Sequence, residues 1–145
     1  GGAFPLALAL AQAVNCRDNT SGDSCGVCSQ CHKIGKLIHP DLHFAFPVSS
    51  TSALTDSEKK APVSDYFLAP FRELALSNPC FTEQNLYDAI GLESKSGNIS
   101  VSEAKLIFEK LSLRAAEAAC KTLIIYLPEK MNPDGYTLFI ERGNT

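Results

Sequence analysis

Three stretches of the chain have an apolar pattern that predicts regular structure around a core. Residues 4–14 are apolar at nearly every position, and Pro5 stands where a first helical turn tolerates it, so they predict a helix buried on most sides. In residues 42–46 apolar and other side chains alternate up to Pro47, which predicts a strand. Residues 122–127, a continuous β-rich apolar run, are typical of a strand covered on both faces of a parallel sheet.

The segments between these stretches have helical signals. Residues 70–78 and 83–90 each predict a short helix, and Thr82 is the expected N-cap of the second. The clearest helix begins at Ser100, because Ser100 and Glu103 form a capping-box pattern ahead of an apolar stripe. Helices that alternate with strands in this way indicate an α/β fold with a parallel sheet.

A chain of 145 residues with 45% hydrophobic residues is sufficient for one domain with a sizeable core. Within residues 1–145 we distinguish a cysteine-rich module at 15–37, an expected insertion at 48–98, and a tail at 133–145 that does not fit the rest. Residues 48–64 of that insertion are rich in Ser, Thr and charge, and we expect a mobile loop there.

The charge pattern limits the possible partners and location. The net charge is −3 and the basic residues are scattered, so direct nucleic-acid binding by this chain alone is not expected. No apolar run is long enough for a transmembrane helix, and the opening residues lack the basic start of a signal peptide. We therefore expect a cytoplasmic protein, in which clustered cysteines remain reduced and usually bind metal or act in redox chemistry.

Four of the six cysteines, Cys16, Cys25, Cys28 and Cys31, have the spacing C-x8-C-x2-C-x2-C. Four thiolates complete the tetrahedral shell of a structural Zn²⁺ ion and leave no open position for catalysis. Gly26 eases the first tight C-x2-C hook. The sequence therefore predicts a structural zinc site, with Cys80 and Cys120 as small buried side chains outside it.

Three other cysteine chemistries remain as alternatives. Residues 28–32 match the C-x-x-C-H pattern of covalent haem attachment, in which His32 would be an axial ligand. An iron–sulfur cluster needs the same thiolates, but the C-x3-C-P continuation is missing, and a redox dithiol at residues 25–28 leaves two cysteines unexplained. With four thiols available, we expect His32, His39 and His43 to be surface or hydrogen-bonded side chains.

The lead-in "VNC", the cysteine spacing with "CGVC", and the following "HPDLH" together resemble a known family. They are similar to the delta-prime subunit of the bacterial DNA polymerase III clamp loader, and more loosely to its gamma/tau subunits, over most of residues 1–132. The resemblance implies a partial AAA+ domain, related to P-loop NTPases, with an inserted zinc-binding loop.

The resemblance also implies that the nucleotide site is degenerate. The Walker A lysine and Ser/Thr positions fall on Ala3 and Phe4, and the Walker B acidic pair is replaced by Leu127, Pro128 and a lone Glu129. The expected role is then a nonenzymatic stator that assembles with gamma/tau and delta subunits to load the sliding clamp on primed DNA. No catalytic residue is expected.

The chain departs from the family pattern in three respects. It has no serine-arginine-cysteine motif, its tail does not match, and the strand that should precede the first helix is missing, so we expect an N-terminal fragment. A redox protein and a generic zinc-stabilised interaction domain are the alternative functions.

Overall fold

The computed structural model of the protein describes residues 3–18, 23–92, 96–116 and 121–133. The helices are α1 (Ala3–Asn15), α2 (Ser29–Gly35), α3 (Asp56–Lys60), α4 (Leu68–Ser77), α5 (Glu83–Ile90) and α6 (Val101–Ser112). The strands are β1 (Leu42–Ala45) and β2 (Thr122–Ile125), and two 3₁₀ turns cover Ser64–Phe67 and Pro128–Lys130. Among the helices of these ranges, none combines the length and apolar character that crossing a membrane requires.

The two strands form a parallel pair, as their sequence patterns predict. Leu42 lies opposite Thr122 and Ala45 opposite Ile125, and the pairing ends with the Tyr126 N–H donating to the Ala45 carbonyl at 2.8 Å. In the described ranges no third strand joins this sheet. The expectation that β2 is covered on both faces is wrong there: Ile124 is buried, while its neighbours are only partly buried.

Five phenylalanine rings form the centre of the core, and we call them the aromatic core: Phe4, Phe44, Phe46, Phe71 and Phe81. Phe71 is fully buried, and its ring centroid lies 4.4 to 5.8 Å from those of the other four. Such separations are favourable for aromatic pairs. The rings come from α1, β1, α4 and the turn before α5, so this cluster packs the helices against the sheet.

Helix α1 is buried on one side only, contrary to the sequence-based expectation. Phe4 and Ala11 lie in the core, whereas Leu6 is 72% exposed, Leu10 64% and Val14 52%. These three residues are four positions apart and therefore line one helical face. Within the described residues, this face and the unpaired edge of β2 have no packing partner.

Residues 48–98 begin and end at the same place in the fold. The backbones of Val48 and Asn98 exchange two hydrogen bonds of 3.0 Å, and a Cβ atom on Gly97 would lie 2.9 Å from the Pro47 carbonyl carbon. The segment is not a detached appendage, because α4 and α5 contribute Phe71 and other side chains to the main core. Whether it is an insertion in the evolutionary sense stays a prediction.

The expected loop at 48–64 contains a helix. Thr55 caps α3 by accepting a hydrogen bond from the Glu58 N–H, and the Glu58 carboxylate accepts one from the Thr55 N–H. The Thr-x-x-Glu pattern of this capping box is present in the sequence. The high content of Ser, Thr and charged residues led to the prediction of a loop instead. A second capping box, between Thr82 and Asn85, starts α5, and the predicted N-cap at Thr82 is confirmed.

The capping box predicted at the start of α6 is only half formed. The Ser100 hydroxyl accepts from the Glu103 N–H at 3.1 Å, but the Glu103 carboxyl contacts Ser64 instead of returning to the Ser100 backbone. The stripe on this helix is confirmed at its centre, where Ala104 and Ile107 are buried. The expected tail beyond Pro133 lies outside the described residues.

Candidate metal centre and nucleotide cleft

The four predicted ligands converge on one point, and we call them the cysteine cluster: Cys16, Cys25, Cys28 and Cys31. Cys16 directly follows α1, Cys25 and Cys28 lie in the loop before α2, and Cys31 lies in that helix. All four Sγ atoms are within 4.8 Å of one another. In the described ranges no disulfide joins these thiols.

Backbone N–H groups hold the sulfurs in place. The Cys25 N–H donates to the Cys16 Sγ at 3.3 Å, the Cys28 N–H to the Cys25 Sγ at 3.2 Å, and the Cys31 N–H to the Cys28 Sγ at 3.5 Å. Gly26 has a φ of +76°, a conformation that residues with a Cβ rarely adopt. The expected role of this glycine in the hook is therefore confirmed.

The spacing of the sulfurs fits a tetrahedral metal site. A Zn–S distance of about 2.3 Å requires sulfurs about 3.8 Å apart at the corners of a tetrahedron. The Cys16 and Cys28 Sγ atoms are 4.0 Å apart, close to that requirement. The donor set is soft and complete, so Zn²⁺ bound here would hold the loop to α2 and provide no site for a reacting water.

The thiols are not equivalent before a metal binds. Hydrogen bonds from the backbone, that of Cys31 first, lower the pKa of Cys28 to about 6. Burial raises the pKa of Cys31 to about 12. Metal binding at Cys31 must therefore displace a firmly held proton, whereas Cys28 provides a thiolate at neutral pH.

Polar side chains that are partly or fully buried link the cluster to the core, and the sequence alone did not indicate the roles of Gln12 and Gln30. The Gln12 Nε2 donates to the Cys31 carbonyl at 2.9 Å, and the Gln30 Oε1 contacts the His39 Nε2. Because the Asp41 N–H donates to the His39 Nδ1 at 3.0 Å, the His39 proton lies on Nε2 and points to Gln30. The "HPD" text is the signal that could have indicated this contact.

The remaining histidines and cysteines lie outside the cluster. His32 is exposed, His39 is buried with the partners just described, and His43 is partly buried, a position that lowers its pKa. These placements agree with the expected surface or hydrogen-bonded roles. Cys80 is exposed, so its predicted burial is wrong: it lies in the turn before α5 rather than in the core. Cys120 is outside the described residues.

The positions expected for the Walker motifs line one cleft of about 260 Å³. Ala3 and Phe4 lie on one side of this cleft, and Leu127, Pro128 and Glu129 lie on the other. Its remaining lining is Ala7, Ile124, Ile125 and Tyr126. Among the described residues that line this cleft, Glu129 has the one ionisable carboxyl group, and none is a lysine, serine or threonine.

A second groove of about 320 Å³ continues this cleft along α1. It lies between Ala7, Leu10, Ala11 and Val14 of the helix and the four residues of β2. Both clefts share Ala7, Ile124 and Ile125, so one apolar groove follows the unpaired side of β2.

The comparisons with known proteins agree with the earlier resemblance at the family level. No curated protein and no solved structure is significantly similar to the chain. Residues 2–136, however, match the family model described as "DNA polymerase III, delta subunit". This match covers nearly the whole chain, including the cysteine cluster and both sides of the cleft. The chain therefore belongs to the DNA polymerase III delta-subunit family, whose role is related to clamp loading in DNA replication.

Proposed function

We propose that the chain is a delta-prime-type subunit, a nonenzymatic stator of the replicative clamp loader. In this role it assembles with gamma/tau and delta subunits into the complex that places the sliding clamp on primed DNA. The observation that carries the proposal is the chemistry of the cleft between Ala3, Phe4 and Leu127–Glu129.

That cleft lacks the groups that a nucleotide triphosphate needs. Active P-loop enzymes hold the phosphates with a lysine and the Mg²⁺ with a Ser/Thr hydroxyl and an acidic side chain. Ala3 and Phe4 supply neither group, and the Phe4 ring is 5% exposed because it packs into the aromatic core. A substitution of Phe4 by threonine would therefore remove core packing as well as change the cleft.

The parallel strands and α1 support a partial AAA+-like arrangement. A sheet of that kind extends beyond two strands, and a buried parallel sheet needs apolar cover on both faces. Within the described residues, the unpaired edge of β2 leaves room for a further strand, and the exposed apolar face of α1 at Leu6, Leu10 and Val14 leaves room for packing beside it. We expect further strands of the domain at this edge.

We also propose that the cysteine cluster binds one structural Zn²⁺ ion. The convergence of four sulfurs favours this ion over covalent haem attachment, because both cysteines of the C-x-x-C-H segment already lie against Cys16 and Cys25. Metal analysis of protein purified without added chelator should give about one zinc per chain. A haem or iron–sulfur absorption spectrum would instead support the redox alternative.

The stator proposal is tested by nucleotide binding. Calorimetric titration with ATP and Mg²⁺ should give no Mg²⁺-dependent binding at millimolar nucleotide, and a gamma/tau subunit serves as the positive control. If binding is seen and Glu129→Gln abolishes it, the cleft is a working nucleotide site and the stator proposal is wrong.

The assembly role is tested separately by co-purification. The protein should co-purify with gamma/tau and delta subunits and stimulate clamp loading without an ATPase activity of its own. Failure to join this complex would favour a zinc-stabilised interaction domain with other partners.

A further inference from the structure

A buried contact between Glu103, Ser64 and Phe46 joins three elements of the fold. Glu103 lies in the first turn of α6, Ser64 opens the first 3₁₀ turn, and Phe46 directly follows β1. Glu103 is 2% exposed, and the other two residues are fully buried. The contact fixes part of the 48–98 segment to the sheet and to α6.

Ser64 takes part in every hydrogen bond of this contact. The Ser64 N–H donates to the Glu103 Oε1 at 3.0 Å, and the Ser64 Oγ is in short contact with the same oxygen. The Phe46 N–H donates to the Ser64 Oγ at 2.9 Å, and that Oγ lies 3.1 Å from the Phe46 carbonyl oxygen. Ser64 thus faces two oxygen atoms, the carbonyl of Phe46 and the carboxyl of Glu103.

Counting protons distinguishes the two charge states of Glu103. The serine hydroxyl has one proton to donate and two lone pairs to accept with. If Glu103 is ionised, the hydroxyl donates to the carboxylate, and the Ser64 Oγ meets the Phe46 carbonyl without a proton between them. If Glu103 is protonated, it donates to the Ser64 Oγ, which in turn donates to the Phe46 carbonyl. Only the protonated form makes both contacts hydrogen bonds.

The surrounding charges do not favour ionisation. Burial is the main cause that raises the pKa of Glu103, the hydrogen bonds from Ser64 oppose it, and the neighbouring Asp65 raises it further. Lys110, two turns further along the same face of α6, lowers this pKa, but its charge is paired with Asp65. On β1, burial lowers the pKa of His43, and the charges of Lys110 and Lys121 lower it further.

We propose that Glu103 is a neutral carboxylic acid near neutral pH and acts as a proton-dependent latch that holds the 48–98 segment to α6 and β1. Loss of the proton replaces a complete hydrogen-bond chain with a buried carboxylate and leaves no proton between the Ser64 Oγ and the Phe46 carbonyl. At alkaline pH the 3₁₀ turn at Ser64 then separates from α6 more often.

The direction of the pH effect follows from linkage. An unfolded chain releases the Glu103 proton near the ordinary pKa of 4.5, whereas the folded chain keeps it to higher pH. Stability due to this group is therefore complete below 4.5 and decreases as pH rises toward the folded pKa. Within that window one proton changes the folding equilibrium constant by about tenfold per pH unit.

Glu103→Gln tests the latch, because the glutamine side chain cannot ionise at any pH while its amide oxygen can still accept from the Ser64 N–H. Chemical denaturation of the 145-residue chain between pH 5 and 8 measures its folding stability. In this variant, the decrease in stability with rising pH that Glu103 causes in the parent chain should be absent. At pH 8 the variant should equal or exceed the parent chain in stability. Glu109→Gln, on the exposed side of α6, is the matched control and should keep the pH dependence of the parent chain. Any pH dependence that comes from the cysteines is the same in both variants.

A direct measurement on the parent chain decides the charge state independently of any variant. The ¹³C signal of the Glu103 carboxyl carbon should remain at the protonated position at pH 7. Two results would overturn the latch: a Glu103 signal at the ionised position at pH 7, or a tenfold or greater loss in the folding constant of Glu103→Gln at pH 7 with the pH dependence unchanged.

Discussion

The cysteine cluster takes its four sulfurs from residues 16–31, whereas the aromatic core takes its rings from residues 4–81. In the first region short spacers and N–H to sulfur bonds bring the side chains together over a few residues. In the second, helices and a strand must dock before any two rings meet. A locally assembled cysteine cluster and a core assembled over long range therefore lie in one chain, and disruption of one should leave the other largely intact.

The largest effect is expected from opening the cluster itself. Cys28→Ser should abolish stoichiometric zinc binding, because structural zinc sites of this kind contribute about 10 to 16 kcal/mol and need all four thiolates. Hydrogen exchange should accelerate over residues 15–37 and change little in α6 and β2. Exposed Cys80 supplies the matched control, and Cys80→Ser should keep the metal. Global unfolding of Cys28→Ser would show that the two regions are not separable.

The next effect is expected in the core. Phe71→Ala removes the ring that contacts the other four members of the aromatic core, and such truncations cost about 3 to 5 kcal/mol. Denaturant titration should give that loss, with zinc still bound at low denaturant. Leu76→Ala on the exposed side of α4 should change stability little, since Leu76 is 53% exposed. An equal loss in both variants would contradict the central position of Phe71.

A smaller effect is expected where the 48–98 segment closes on itself. A methyl group at Gly97 would meet backbone atoms of Pro47 and Val48 at 2.9 Å, and overpacking of this kind costs about 1 to 3 kcal/mol. Gly97→Ala should lower the thermal midpoint and loosen the bridge between Val48 and Asn98. Asn98→Ala, which keeps the backbone hydrogen bonds, should be nearly neutral; an unchanged midpoint in Gly97→Ala would mean that the close approach is absent.

The smallest effect is expected at a helix end. Thr82→Ala removes the acceptor for the Asn85 N–H at the start of α5, which costs about 1 kcal/mol. Thr82→Ser keeps that acceptor and should retain most of the stability. Equal destabilisation by the alanine and serine variants would assign the effect to the threonine methyl group instead.

The features that depend on short-range interactions were predicted correctly from the sequence in most cases. The spacing of the cysteines, Gly26 in the hook and Thr82 before α5 all act over a few residues, and the structure has each where it was expected. The parallel pairing of β1 and β2 was also predicted, because each strand has a distinct apolar run. The capping box at Thr55 was equally local and was overlooked.

Tertiary structure decided the features that depend on which surfaces meet. An apolar pattern gives no indication of how many partners a helix has, and for this reason α1 was expected to be buried although Leu6 and Leu10 are exposed. The carboxyl of Glu103 follows a capping pattern in sequence, yet in the fold a buried hydroxyl 39 positions away lies within its reach. Sequence by itself determined the cysteine cluster, the helix ends and the strand pair, because these depend on short-range interactions or on the apolar run of each strand; long-range packing determined the core, the cleft and the charge environment of Glu103.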